Sequence, residues 1–318
     1  ISIRGLGGSR VNIFVDGVRV SDAYAGYGRD VVEVDLLKRV EILKGPTSAL
    51  YGSDGLAGAV SYVTKDASDF TDLGSHYTAR YSQFSDSNQD KYSFLYAFVG
   101  DRIDGILQLT DKESSEMELH SDALLEPNPL KSEGKSLLGK LTVDVNEKLD
   151  MTLTIDNQEW SSDIIVNTDI GSTFYPGLSL LSTTSSSEGA DEGSRDRVSL
   201  KLNYAAQNNL FDSAILNLFS QSTDQQQITN KVVADMVFGQ FGPMGPPSPG
   251  LLFRDFQFNQ SVSGMALELR KSFDQFNGRD IVYGFDTEIL ETERFRNSTL
   301  TSLITGITTS NVYGTIYP

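Results

Sequence analysis

The sequence predicts an all-β protein: a β-barrel that crosses a membrane, preceded by a compact α+β unit. Two observations favour this fold class. Segments of alternating apolar and polar residues recur from about residue 75 onward, and the connections between them are short on one side and long on the other. No run of roughly 18 apolar residues occurs, which excludes a helical membrane span.

Residues 1–66 form the predicted compact unit. Short strand-like segments such as Val11–Val15 and Val18–Val20 are separated by glycines, and long-range alternation is weak. Residues 67–318 are predicted to be the first part of the barrel. We expect both ends to be truncated, because Ile1–Ile3 lies within a strand-like segment and Val312–Pro318 stops without a terminal cap.

The strand-like segments of residues 67–318 place an apolar face outward and a mostly polar face inward. Leu137, Leu141 and Val143, for example, alternate with Lys140 and Thr142. We count roughly nine such antiparallel strands, whereas barrels of the plugged class have about 22. A large soluble β-sandwich also alternates, but it does not explain the regular order of short and long connections.

The connections between the predicted strands alternate between short turns and long loops. Short turns are predicted at Gly100–Asp104, Asn146–Asp150, Gln207–Asp212 and Phe273–Asp280, and long loops rich in Ser, Gly and Pro near 112–135, 160–196 and 222–257.

One strand has an aromatic face formed by Tyr92, Phe94, Tyr96 and Phe98. These rings could contribute to an interfacial girdle or pack against the compact unit.

Composition excludes several function classes. The net charge is −17, with 43 acidic and 26 basic residues, so nucleic acid is not an expected partner. Cysteine is absent, which removes disulfides, thiolate metal sites and cysteine nucleophiles. No hydrolase motif and no metal-binding motif occurs, so we expect neither an enzyme nor a resident cofactor.

Three ordered segments resemble the plug signature of TonB-dependent receptors of the bacterial outer membrane: Ile1–Gly5, Val11–Gly17 and Leu37–Lys65. The resemblance implies a plug inside a barrel of about 22 strands surrounded by outer-membrane lipid. It also implies that the TonB protein, energised with ExbB and ExbD, moves the plug by pulling on an N-terminal box, which is expected upstream of Ile1. Transport by such a receptor involves no covalent chemistry.

The barrel segments are most similar to the heme and hemoglobin receptors. The resembling segments are Pro127–Pro129, Ser136–Leu141, Arg195–Leu200, Asp212–Gln221 and Tyr283–Asp286. This resemblance implies import of an iron-bearing ligand, with heme or hemoproteins as partners. A ferric siderophore or cobalamin is the alternative ligand. An alternative of another class is a plugged barrel that acts in signalling or adhesion without transport.

The resemblance also implies residues that lock the plug into the barrel. Arg4 and the residue at Lys44 are expected to face barrel carboxylates, and Glu41 is assigned to the same group. The family usually has arginine where this chain has Lys44, and lysine keeps the charge but loses the bidentate fork. The partner carboxylates are expected beyond Pro318.

Ligand contacts are expected at the plug apex. Heme receptors of the family often carry a histidine in the loop after the Asp-Gly turn, but Ser21–Asp30 has none. Tyr24, Tyr27 and Arg29 are the candidates there, because a phenolate can ligate ferric heme iron. The tyrosines could equally stack on a ligand or pack against loops.

The two histidines of the chain are weaker candidates. His120 lies in a predicted extracellular loop and could touch a ligand, although a lone loop histidine is more often solvated. His76, near the start of the first barrel strand, is interpreted as structural.

Overall fold

A computed structural model describes residues 2–7, 10–20, 32–46, 56–120, 122, 127–206, 208–273 and 279–317. The N-terminal unit contains a hairpin and a four-stranded sheet in the order β4-β3-β6-β5. Its strands are β1 (Ser2–Ile3), β2 (Leu6–Gly7), β3 (Val11–Val15), β4 (Val18–Arg19), β5 (Leu37–Lys44) and β6 (Gly58–Thr64). β3 pairs with β6 in parallel, and the other pairs of this sheet are antiparallel.

β3 lies inside this sheet and is covered on both faces, which suits its mostly apolar sequence. All five of its residues are buried, as an apolar central strand requires. Val11 packs with Ile3 and Val60, while Val15 packs with Val20. The next two residues, Asp16 and Gly17, both have positive φ, +48° and +82°, which is the conformation of a two-residue type I′ hairpin turn.

The rest of the chain forms one long antiparallel sheet. Ten strands follow one another in space in chain order, and two short strands, β12 and β15, pair with β13 and β14. The strands are β7 (Gly74–Phe84), β8 (Gln89–Val99), β9 (Ile103–Ser115), β10 (Leu130–Asn146), β11 (Leu149–Ile165), β12 (Gly171–Tyr175), β13 (Leu180–Ala205), β14 (Ser213–Gly239), β15 (Gly242–Pro243), β16 (Ser248–Phe273), β17 (Arg279–Ser302) and β18 (Thr308–Tyr317). The predicted membrane-barrel architecture with a plug-like unit is confirmed, and the path holds ten strands rather than roughly nine.

Helical structure in the described residues consists of single turns. Short 3-10 helices lie at Val34–Leu36, Ala67–Asp69, Asn167–Asp169 and Pro176–Leu178. Within the described ranges, no helix is long and apolar enough to span a membrane. The division of the chain at residue 66 stays a prediction.

Two of the predicted long loops are wrong, because most of their residues are strand. β11 continues to Ile165, β13 begins at Leu180, and only residues 240–247 separate β14 from β16, with β15 within them. Much of this strand sequence, such as residues 182–197 and 220–227, is polar on both faces of the sheet, so apolar alternation carries no signal there although these residues pair with neighbouring strands. The predicted loop near 112–135 shortens to residues 116–129.

An apolar band covers the outer face of the sheet on the side of the short turns. One cross-strand row of directly paired residues shows it: Leu141, Leu153, Leu200, Leu218 and Met265. Along β13 the band runs from Val198 to Tyr204, which is about 20 Å of strand length at 3.3 Å per residue.

The aromatic face of β8 belongs to this outer band. Tyr92, Phe94 and Tyr96 are 59%, 42% and 40% exposed, whereas Leu95 and Ala97, at alternate positions of the same strand, are buried on the inner face. The rings therefore face outward and do not pack on the N-terminal unit. Tyr92 is 5.1 Å from the ring of Tyr81 on β7.

Candidate functional site

The N-terminal unit contacts the inner face of the long sheet through a buried polar interface. The unit supplies mainly carboxylates and backbone carbonyls, and the sheet supplies mainly ammonium, guanidinium and amide groups. The contacting sheet residues are Lys91, Gln108, Lys112, Lys140, Gln158, Arg197 and Gln221.

Arg197 of β13 joins the two bodies at the Asp16 turn. Its Nη1 donates to the carbonyl of Val15 at 2.6 Å, and its Nη2 donates to Asp16 at 2.9 Å and to Asp156 of β11 at 3.0 Å. Asp16 also accepts from the backbone N–H and hydroxyl of Thr64. Burial alone would raise the pKa of Asp16, but Arg197 and these hydrogen bonds outweigh it, so the pKa lies below its ordinary value.

Arg195 lies one inward position along β13 and is fully buried. Its Nη2 is 3.4 Å from Asp156, the same carboxylate that Arg197 binds. In the part of the chain that the structure describes, Nε and Nη1 of Arg195 have no hydrogen-bond partner. Leaving buried donors unpaired costs about 1–3 kcal/mol per group, so this side chain is held at a cost to stability.

Glu33 forms a second buried ionic group. Its carboxylate accepts from Lys91 at 2.6 Å and from Lys112 at 2.8 Å, and Lys91 also binds Asp35 at 2.9 Å. The backbone N–H of Glu33 donates to Gln158 at 3.1 Å. Burial would raise the pKa of Glu33, but the hydrogen bonds from the two lysines outweigh it, so the pKa is lowered.

A third ionic group lies where the chain passes from the unit to the sheet. Lys140 of β10 binds Asp66 at 2.9 Å and also donates to the carbonyl of Thr64. Lys38 binds Asp69 and lies 3.7 Å from Asp66. The hydrogen bond from Lys38 helps to lower the pKa of Asp69 against the opposing effect of burial.

An apolar cluster lies beside this third group, where the chain enters the long sheet. Ala67 packs against Leu95, Ala97 and Ile106 on the inner face of the sheet, with Phe70 at the edge of the cluster. Two amide contacts add to the polar set: Gln108 donates to the carbonyl of Asp35 and Gln221 to the carbonyl of Arg19. The interface is therefore mainly polar.

Comparison with known proteins agrees with this geometry. Residues 1–59 match the TonB-dependent Receptor Plug Domain family. Residues 1–59 are therefore a plug domain of the type found in TonB-dependent receptors. The resemblance read from the sequence is thereby confirmed, and the contacts above form a plug–barrel interface.

Individual relatives cover parts of the chain. It is 42% identical over 64 residues to the vitamin B12 transporter BtuB of Vibrio vulnificus, covering 20% of this chain and 11% of that protein. It is 31% identical over 130 residues to the hemin receptor of Yersinia enterocolitica, covering 40% and 19%. The FrpB iron transporter of Neisseria meningitidis has the same fold, with a TM-score of 0.59, 14% identity, and coverage of 98% of this chain and 55% of that one. The chain thus spans a small part of these curated relatives.

The structure places the predicted locking residues away from the observed ionic groups. Arg4 and Lys44 are exposed, and Glu41, also exposed, pairs with its neighbour Arg39 at 2.7 Å. Their role in locking stays a prediction. The contacts found instead have plug carboxylates facing barrel cations, the reverse of the charge arrangement expected for Arg4 and Lys44.

The predicted ligand residues fall into two sets. Tyr24, Tyr27 and Arg29 lie outside the described residues. His120 is highly exposed between β9 and β10, with its Nδ1 accepting from the backbone N–H of Asp122. His76 stacks on Phe70 with ring centroids 5.6 Å apart, consistent with a structural role.

Sequence reasoning missed the residues of the plug–barrel interface. A signal was present, because Arg195 and Arg197 are two residues apart in a strand and must share a face. Asp156 and Gln158 have the same spacing on β11. Extending the inward pattern of each strand would have placed these charges in the lumen, opposite the plug.

Proposed function

We propose that the chain forms the plug and adjoining strands of a bacterial outer-membrane receptor that imports an iron-bearing ligand, with heme, free or taken from hemoglobin, as the leading ligand. The main support is that a plug domain of the TonB-dependent type lies on the inner face of a transporter-like sheet and is joined to it by three ionic groups. The proposed partners are TonB with ExbB and ExbD, outer-membrane lipid around the apolar band, and the ligand.

The chemistry of the interface supports reversible plug movement. Detaching an apolar interface exposes hydrocarbon to water, whereas water can replace the hydrogen bonds of ionic groups such as Glu33 with Lys91. The described residues include one apolar cluster beside these groups, at Ala67 and Phe70. A pulling force can therefore open the plug without unfolding a hydrophobic core. Transport by this mechanism needs no catalytic residue and no resident cofactor.

Heme is favoured by the barrel segments and by the similarity to a hemin receptor over 130 residues. A ferric siderophore or cobalamin is the second candidate. It is supported by the absence of histidine from Ser21–Asp30 and by the similarity of the plug region to a vitamin B12 transporter.

The test uses the full-length receptor in a strain that lacks its own heme uptake. Growth is measured on hemin, hemoglobin or a ferric siderophore as the iron source, and cobalamin uptake separately, each with and without TonB. TonB-dependent growth on hemin supports the proposal. Growth on the siderophore alone would assign the second ligand class, and activity that survives loss of TonB would favour a signalling or adhesion receptor.

A further inference from the structure

Arg195 of β13 is a fully buried cation that makes no hydrogen bond or ion pair with the plug among the described residues. Its Nη2 lies 3.4 Å from Asp156 of β11, while Nε and Nη1 have no hydrogen-bond partner there. A guanidinium keeps its charge throughout the ordinary pH range, so this group cannot reduce the cost of its burial by losing a proton. An arginine held at such a cost indicates that the interface uses its charge rather than a plug contact of its own.

Two carboxylates meet at one nitrogen of Arg197. Its Nη2 donates to Asp16 of the plug at 2.9 Å and to Asp156 at 3.0 Å. Because both carboxylates bind the same atom, they lie close together and repel each other, and burial leaves this repulsion poorly screened by water. Lys140 also attracts Asp16, but its ammonium is bound to Asp66 at 2.9 Å. Arg197 alone would therefore leave one negative charge uncompensated at this point.

Arg195 supplies the positive charge that balances this group. It lies two residues from Arg197 on the same strand and therefore on the same face of the sheet. Its Nη2 contacts Oδ2 of Asp156, the oxygen that Arg197 also binds. With the plug seated, the two arginines and the carboxylates of Asp156 and Asp16 together carry no net charge.

The charge balance changes when the plug moves away. Asp16 leaves with the plug, and the barrel side of the interface keeps Arg195, Arg197 and Asp156 with one net positive charge. That charge attracts Asp16 back to its seated position. Without Arg195 the balance would be reversed, because Arg197 and Asp156 would form a neutral pair in the absence of the plug and the seated plug would add an unbalanced negative charge.

We propose that Arg195 is a positioning residue for the plug. By neutralising Asp156, it keeps the guanidinium of Arg197 available to Asp16 and so favours the seated plug without an ion pair of its own to it. This inference rests on the proposed plug movement and adds a residue that sets its resting position. Its particular consequence is that loss of Arg195 loosens the plug, whereas loss of Asp156 in addition tightens the plug again.

The test measures opening of the plug in the full-length receptor in detergent, without TonB and without ligand. Ala59, which is 4% exposed in the plug, is replaced by cysteine, and the rate of thiol labelling reports opening. R195Q should accelerate labelling at least about tenfold. R102Q is the matched control, because it removes the same charge at an exposed short turn and should leave the rate unchanged.

The deciding variant is R195Q/D156N, in which the seated group is neutral again. Asparagine keeps a side-chain oxygen for the hydrogen bond that Asp156 accepts from Gln158, so the exchange removes mainly the charge. We expect its labelling rate to return to within about threefold of that of the receptor with Arg195 and Asp156. If Arg195 only filled space, loss of a second interface group would not reverse the effect of R195Q.

Folding of each variant is checked by heat-modifiable migration of the barrel on gels. An unchanged labelling rate in R195Q, equal acceleration in R102Q, or a double variant that opens as fast as R195Q would overturn the role of Arg195. Failure of the import proposal has a separate readout, TonB-dependent growth. Because labelling is measured without TonB or ligand, the charge balance can hold even if that proposal fails.

Discussion

Arg197 and Asp16 lie 2.9 Å apart although 181 residues separate them in the sequence. Arg197 is almost completely buried, and it also binds the carbonyl of Val15 and the carboxylate of Asp156. One guanidinium therefore connects the plug backbone, a plug carboxylate and a barrel carboxylate. Replacing Arg197 leaves the carboxylate of Asp16 in this interface without its ion-pair partner.

Substitution of Arg197 by methionine is expected to loosen the plug. Removing one partner of a buried ion pair costs about 3–5 kcal/mol. Because the chain contains no cysteine, Ala59→Cys, at a position 4% exposed in the plug, introduces one thiol to this region. Labelling of that thiol should accelerate by at least about a hundredfold if it reports plug opening. Arg102→Met, an exposed arginine, is the control, and an unchanged rate in Arg197→Met would contradict the role given to Arg197.

Acidification is expected to release the plug. Asp16 and Glu33 have pKa values below their ordinary 3.8 and 4.5, so their stabilising effect is present above those values and is lost as pH falls through the lowered folded pKa values. Hydrogen exchange of the β3 amides, corrected for the intrinsic rate, should rise below about pH 4.5. Glu33→Gln should exchange faster at neutral pH and respond less to acid. An identical acid response in Glu33→Gln would exclude Glu33 as a titrating group.

Alanine at Gly58 is expected to destabilise the plug sheet. Gly58 has a φ of +149°, and a Cβ there would lie 2.2 Å from the carbonyl oxygen of Leu43 on β5. Strain and overlap together should cost at least about 2 kcal/mol, measured by hydrogen exchange of β3 and β6 in the full-length receptor. Gly139→Ala is the matched control, since no atom lies within 4 Å of its added Cβ. Equal exchange in the two variants would refute the close approach of β5 to Gly58.

Tyr24 and Tyr27 on one side, and His120 on the other, give opposite expectations for heme. In a titration of the full-length receptor with hemin, followed at the Soret band, Tyr24→Phe or Tyr27→Phe should weaken binding if a phenolate ligates the iron. His120→Ala should leave binding unchanged, because His120 is exposed in its loop. Saturable binding that depends on His120 and not on the tyrosines would reverse this assignment.

The fold could be predicted from the sequence, but the contacts between the plug and the barrel strands could not. The plug signature and the outward apolar face of strands such as β10 follow from local patterns, which the structure reproduces. The length of β13 could not be predicted from a local pattern, because polar residues on both faces remove the periodicity that marks a strand. Arg197 could be placed on an inward face by its spacing from Arg195. Its partner Asp16 could not be identified, since no local pattern links residues so far apart.

The three longest strands determine how the receptor would meet its surroundings. β13, β14 and β16 have 26, 27 and 26 residues. A bilayer crossing uses about ten, so some 16 residues, or roughly 50 Å of strand, extend past the lipid. Under the import function proposed above, a bulky carrier protein could deliver its cargo at this height without touching the bilayer. Delivery and passage through the plug would then be separate events in space, and a carrier too large for the lumen would still be a usable source.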